Sequence, residues 1–197
     1  MGKALSEMTM EELWQLFPII LTGHNPDYMR WYEEQRNEIL KALDSRMIKR
    51  ISHIGSTAVP GLLAKPTVDI LLEIAGDQNT AEVKDKLIGS GWVLMSHKEK
   101  PYLQMSYNKG YTSEGFAEKV YHLHVRCYGD WDELYFRDYL IEHKDAAAEY
   151  AALKESLLEE YRNNRDGYTE AKSEFVKRYS DQAREYYGRR YLPVQEP

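Results

Sequence analysis

The residues of this chain whose types and spacing can do chemistry gather in two places. The first is the stretch 53–74, HIGSTAVPGLLAKPTVDILLEI, where a β-rich run ends in Gly55-Ser56 and a second run carries Asp69. Glycine permits close backbone approach, and serine caps a helix start or holds an anion with its hydroxyl and amide. A carboxylate in the middle of a strand is disfavoured by strand propensity and by burial, so Asp69 calls for a cation or for donors. Lys65 lies in a loop framed by Pro60 and Pro66, within reach of Asp69, and is a candidate phosphate ligand. An aspartate satisfied by Lys65 or by loop amides is the plainer alternative. The second place is His122 and His124. Alternate histidines on one strand face stand about 7 Å apart at their bases, which lets two imidazoles converge on one ion or one phosphate.

Neighbouring residues rank lower. Glu73 shares a strand face with Asp69 but lies about 13 Å further along, too far to share a metal, and reads as a rim carboxylate in solvent. His53 is a possible third nitrogen, although a strand-end residue is the simpler role. Arg165 and Arg137 are weaker candidates. Ser56 reads as a donor to an anion rather than as a covalent nucleophile, because no Gly-x-Ser-x-Gly elbow surrounds it.

These side chains need two strands to position them. Read at period two, the run 67–74 puts Val68, Ile70, Leu72 and Ile74 on one face and Asp69, Leu71 and Glu73 on the other. The run 119–127 repeats the division, with Tyr121, Leu123, Val125 and Cys127 opposite His122, His124 and Arg126. Two such strands imply one sheet with a helix-covered back and a polar front, so Asp69 and at least one of the histidines should open onto the same pocket.

Around them the sequence predicts a capped helix from Thr9 and a first strand over 19–22. An amphipathic helix over 27–43 and a second over 80–88 should cover the back of the sheet. Short strands over 92–95 and 103–107 follow, then a long turn over 108–118. Helices over 131–143, 145–162 and 168–187 come last, and at least one should wall the polar front. The tail 191–197 reads as loose. The fold class is therefore α/β (α+β), a mixed sheet with helices on one face and additional C-terminal helices. A single domain is expected, with 1–26 as an appendage, 27–130 as the core and 131–190 as the closing helices.

With 197 residues, 43% of them hydrophobic, the chain has enough material for one core. A formal charge of −6 argues against a dedicated nucleic-acid binder. Cys127 is the single cysteine, so no intrachain disulfide forms, and with no secretory pattern or membrane-length apolar run a cytoplasmic location is expected.

The string HIGSTAVPGL-x-AKP-x-VDI resembles the signature of the GrpB family, and YHLHV, YFRDYLIEH and AAAEYAALK resemble that family's second half. The resemblance spans most of the chain. The order strand, Gly-Ser, short connection, strand with Asp is similar in turn to the nucleotidyltransferase superfamily, whose catalytic core is that of DNA polymerase beta. There Gly-Ser holds the phosphates of a nucleotide and two carboxylates two residues apart bind magnesium. Gly55, Ser56 and Asp69 match, whereas Leu71 stands where the second carboxylate belongs.

That departure argues against ordinary two-metal transfer and leaves two classes open. One is a nucleotidyltransferase in which Gly55, Ser56 and Lys65 hold a triphosphate and Asp69 with His122 or His124 holds a divalent metal: magnesium, manganese or zinc. The other is a degenerate module that binds a nucleotide or phosphorylated small molecule. A third class, a scaffold attached to a partner enzyme, is what the family's occurrence fused to dephospho-CoA kinase implies, with a link to coenzyme A metabolism. Lys172, in YTEAKSEF, resembles a position of the family's C-terminal helix and is the second candidate phosphate lysine. On the sequence alone, Asp69→Asn is expected to leave the fold intact or slightly more stable. Leu71→Asp is expected to raise magnesium affinity if Leu71 faces the pocket, and to misfold if a helix covers it.

Overall fold

The computed structural model describes residues 3–76 and 78–193. Thr9 opens α1 (Met10–Leu16) with the reciprocal cap its spacing predicts: its hydroxyl accepts from the Glu12 amide, and the Glu12 carboxylate accepts from its amide at 2.7 Å. Phe17 ends that helix and buries its ring against Tyr111 and Phe116. Residues 19–22 form no strand, contrary to expectation. Only Thr22 bridges, to Ala64, while Ile19 gives its amide to Arg162. The apolar run is there to seat the chain between a loop and a helix end, where no sheet edge is on offer.

α2 (Tyr28–Ala42) buries Tyr28, Trp31, Tyr32 and Ile39. The strands are β1 (Ile48–Ile54), β2 (Val68–Ile74), β3 (Val93–Lys98), β4 (Gln104–Thr112) and β5 (Gly115–Cys127), with α3 (Thr80–Gly89) between β2 and β3. They form one mixed sheet in the order β1-β2-β5-β4-β3, in which β2 and β5 are parallel and the other neighbours antiparallel. The apolar faces of β2 and β5 meet α2 and α3 in one core through Val68, Ile70, Leu72, Leu123, Val125, Val83 and Leu87. The other face is the front, where Asp69 lies beside His122, Leu71 beside His124 and Glu73 beside Arg126.

The expected long turn over 108–118 is mostly strand, because β4 and β5 run on to pair Thr112 with Gly115. Gly110, with φ 90°, sits at a register shift where a Cβ would strike the Lys119 carbonyl, so the glycine that reads as loop is a bulge. Tyr111, just beyond it, is thereby aimed at the front. Glu73 is not a rim carboxylate. It is fully buried, bonded by both arms of the Arg50 guanidinium and by the Gly129 amide, because the chain leaving β5 folds over that end of the sheet.

α4 (Asp132–Glu142), α5 (Lys144–Tyr161), α6 (Arg165–Glu170) and α7 (Ser173–Tyr187) follow. α4 lays Leu134 on Leu71 and Ile54, covering the front along β1 and β2. The helix expected over 168–187 is two: Asn164 caps α6 through the Gly167 amide, the Ser173 hydroxyl bonds back to the Glu170 carbonyl, and Lys172 stands at the N-cap of α7. Tyr191 is not loose, since its hydroxyl donates to Asp138 and its amide to the Tyr135 hydroxyl. The rest of the expected loose tail, 194–197, lies outside the described residues. Among those residues no helix is long and apolar enough to cross a membrane.

Candidate functional site

Gly55 leaves β1 with φ 71°, and a Cβ there would come 2.5 Å from Asp69 Oδ2, so only glycine lets this turn lie on the carboxylate. The Thr57 hydroxyl donates to the Thr67 carbonyl at 3.1 Å, which leaves it to accept from His53 Nε2 at 3.0 Å. His53 is therefore a brace. It is buried, stacked on Tyr32 behind the turn, and burial pulls it down to about 4 against the opposing charge of Asp69. It does not join the front.

Register brings the rest together. Asp69 Oδ1 lies 3.1 Å from His122 Nδ1 and 3.8 Å from His124 Nε2. His122 Nε2 lies 2.7 Å from the Tyr111 hydroxyl, which accepts from Arg165 at 2.9 Å. One proton assignment satisfies the whole row: Arg165 donates to Tyr111, Tyr111 to His122 Nε2, and His122 Nδ1 to Asp69. Burial alone pushes the Asp69 carboxyl up, but its hydrogen bond from His122 and the nearby His124 outweigh that and hold it well below the carboxylate range. Burial lowers His122, with Asp69 opposing.

Those interactions reverse the effect expected for Asp69→Asn. The depressed carboxyl is stability gained above its unfolded pKa and lost as pH falls through the folded one. An amide keeps the volume and loses the charge that offsets the neighbouring cations. We expect Asp69→Asn to lower stability by about 1–2 kcal/mol at neutral pH, measured by urea denaturation, with the difference shrinking in acid.

Asp69, His122, His124, Gly55, Ser56, Lys65 and Lys172 all line one cavity of about 330 Å³ between the sheet front and α5–α7. Two residues of that wall escape sequence reasoning. Lys154 of α5 donates to Ser56 Oγ at 3.1 Å and to the Leu63 carbonyl, and Tyr150, one turn earlier, lies against Ser56. Their signal was present: a lysine four residues after Tyr150 and eight after Ala146 sits on the apolar stripe of its own helix. Arg165 lines the cavity, whereas Arg137 is bonded to the His53 carbonyl, Asp138 and Tyr191. A larger crevice of about 760 Å³, at the ends of β2 and β5, holds no comparable gathering of cations.

The lysines are electrostatically frustrated. Burial lowers Lys154 to about 7, with Lys65 adding to it; burial, then Lys65 and Lys154, lowers Lys172 to about 7; burial and Arg165 lower Lys65 to about 8. An unfolded lysine titrates near 10.4, so between about pH 7 and pH 10 the unfolded chain holds more protons and stability rises with pH. The ligand-free protein should gain on the order of 2 kcal/mol from pH 7 to pH 9 in urea denaturation, a figure already reduced for solvent screening. Flat or falling stability would show that the amines are not under strain.

The GrpB protein family model matches residues 18–182. The chain belongs to the GrpB family. Glutamate-rich protein GrpB of Alkalihalophilus pseudofirmus is 30% identical over 169 residues, which is 80% of this chain and 91% of that protein. UPF0157 protein YqkA of Bacillus subtilis is 26% identical over 83% of this chain but only 46% of its own length. UPF0157 protein PA4798 of Pseudomonas aeruginosa is 39% identical over 65% of this chain and 52% of its own. The chain thus spans about half the length of those two relatives. The crystal structure of conserved protein GrpB from Enterococcus faecalis superposes with a TM-score of 0.73 at 24% identity, over 85% of this chain and 99% of that one. That likeness carries the fold.

In this GrpB-family chain, of the three residues expected to hold a metal, Asp69 and His122 are hydrogen-bonded to each other and His124 lies 3.8 Å from Asp69. His122 commits both ring nitrogens, Leu71 contributes no oxygen, and among the described residues no group of three or more His, Cys, Asp or Glu is placed to hold a metal ion. The donor set as it stands does not fit a divalent cation.

Proposed function

We propose that this chain binds a phosphate-bearing small molecule, a nucleotide or a phosphorylated metabolite, in the cavity before Gly55-Ser56. The observation that carries this reading is the charge of the lining. Lys65, Lys154, Lys172 and Arg165 face a cavity whose one inward carboxylate, Asp69, already takes its hydrogen bond from His122, and Asp166 is exposed at the rim. Buried ammonium groups without counter-ions are costly, and a polyanion is the ligand that removes the cost. Gly55-Ser56 supplies a turn of the kind that approaches phosphate closely.

A second reading, nucleotidyl transfer with a divalent metal, draws on the packing of Gly55 against Asp69 in the order that superfamily uses. It requires His122 to release Asp69 or Tyr111.

Calorimetric titration of inorganic tripolyphosphate and of ATP, each with and without magnesium, manganese or zinc, separates the readings. Binding without metal, weakening as pH rises from 7 to 9 and the lysines lose their protons, supports the phosphate module. Binding only with metal supports the transferase. No binding of either polyanion overturns both.

A further inference from the structure

Lys172 and Lys65 differ from the other two cations of the cavity in what they touch. Lys154 donates to two oxygens, and Arg165 donates to the Phe17 carbonyl and to Tyr111. The Lys172 amine, like that of Lys65, has no hydrogen-bond acceptor and no ion-pair partner among the described residues, and of the two it lies nearer the ring they share. It lies 4.4 Å from the centroid of the Tyr168 ring, with Lys65 5.8 Å from the same centroid. Tyr168 is fully buried and anchored through its hydroxyl to the Lys154 carbonyl, so this platform is fixed. Burial and the cations around it favour the neutral amine, against the Tyr168 ring face, which favours the ammonium. Aliphatic amines desolvated beside other cations serve as nucleophiles toward carbonyl groups.

We propose that Lys172 forms an imine with a ligand carrying both a phosphate and an aldehyde or ketone, the phosphate being held by Gly55-Ser56, Lys65 and Lys154. The inference rests on the phosphate-binding reading of the cavity and adds the class of its ligand. In the step, the Nζ lone pair attacks the carbonyl carbon as the C=O π bond breaks, and a proton shift gives the neutral carbinolamine. Loss of hydroxide, protonated as it leaves, forms the C=N bond, and the nitrogen then gives up its remaining proton. Amine and carbonyl thus become imine and water, with no change of oxidation state. Burial and the neighbouring lysines bring Lys172 to about 7, so most of it is free amine at slightly alkaline pH.

Pyridoxal 5′-phosphate, an aldehyde with a phosphate ester, is the probe, with phosphate-free pyridoxal beside it. Each is added to the protein, the imine is fixed with cyanoborohydride, and adducts are located by peptide mass spectrometry. An ordinary lysine near 10.4 is free amine to only about 0.1% at pH 7.5, so allowing for the weaker nucleophilicity of a less basic amine we expect labelling of Lys172 at least about tenfold above the surface lysines. Tripolyphosphate should suppress it, pyridoxal should not reproduce it, and Lys172→Arg should lose the adduct. Labelling spread over the surface, centred on Lys65 or Lys154, or indifferent to tripolyphosphate would overturn the assignment. Tripolyphosphate binding by calorimetry with no Lys172 adduct sinks the imine and leaves the phosphate reading standing. Absence of both removes the two together.

Discussion

Leu71→Asp is expected to cost on the order of 4 kcal/mol or more and to leave a poorly folded protein without added magnesium affinity. Leu71 does stand on the face of Asp69, two residues on, as strand geometry requires. It is nonetheless fully buried, packed with Ile54 beneath Leu134 of α4. An aspartate there has no donor to meet it. The neighbouring His124 points to Asp69, and the guanidinium of Arg50 is taken up by Glu73. The group must therefore either ionise in an apolar contact or stay protonated and still lose the packing of the leucine. Urea denaturation checks the loss. A variant of near-native stability that binds magnesium more tightly would return the pocket to the two-carboxylate class.

Leu71 also shows what the sequence conveys and where it stops. Period two fixes which face a residue is on, so the meeting of Asp69, His122 and His124 was legible from two strings of alternating residues. What covers each point of that face was not. Glu73 and Leu71 are both under the chain that follows β5, and only the three-dimensional course of α4 and its leading loop tells buried from exposed on one strand. The 108–118 segment misled for a local reason: Gly110 and the polar residues around it read as turn, while the rings of Tyr111 and Phe116, which hold it as strand against Phe17, lie on either side of the tight turn. Residues 19–22 erred the other way, since an apolar run states that it will be buried and not by what. Lys154 was hidden because a lysine in a helix is usually solvated, and its depth depends on α5 crossing the Gly55-Ser56 turn.

Lys154→Met should weaken tripolyphosphate binding about 30-fold or more while leaving the fold intact, and the two effects have different origins. Its amine is the link between α5 and the turn, with Ser56 Oγ and the Leu63 carbonyl as acceptors. A phosphate brought before Ser56 would meet that amine as a charge-assisted donor, and such bonds are worth about 1.5–3 kcal/mol, or roughly 10- to 150-fold in affinity. Methionine has a similar shape and no donor, so the loss falls on the ligand. On stability two terms oppose. The Leu63 carbonyl loses its donor, which costs about 1–2 kcal/mol, while removal of a buried ammonium relieves Lys65 and Lys172, both of which it crowds. The relief requires the amines to be charged, so the variant should compare best with the native chain near pH 6 and worst near pH 9. Tripolyphosphate titration and urea denaturation at the two pH values measure both. Unchanged affinity in a folded variant would place the anion elsewhere in the cavity, and a pH-independent stability difference would mean that the three lysines do not share one field.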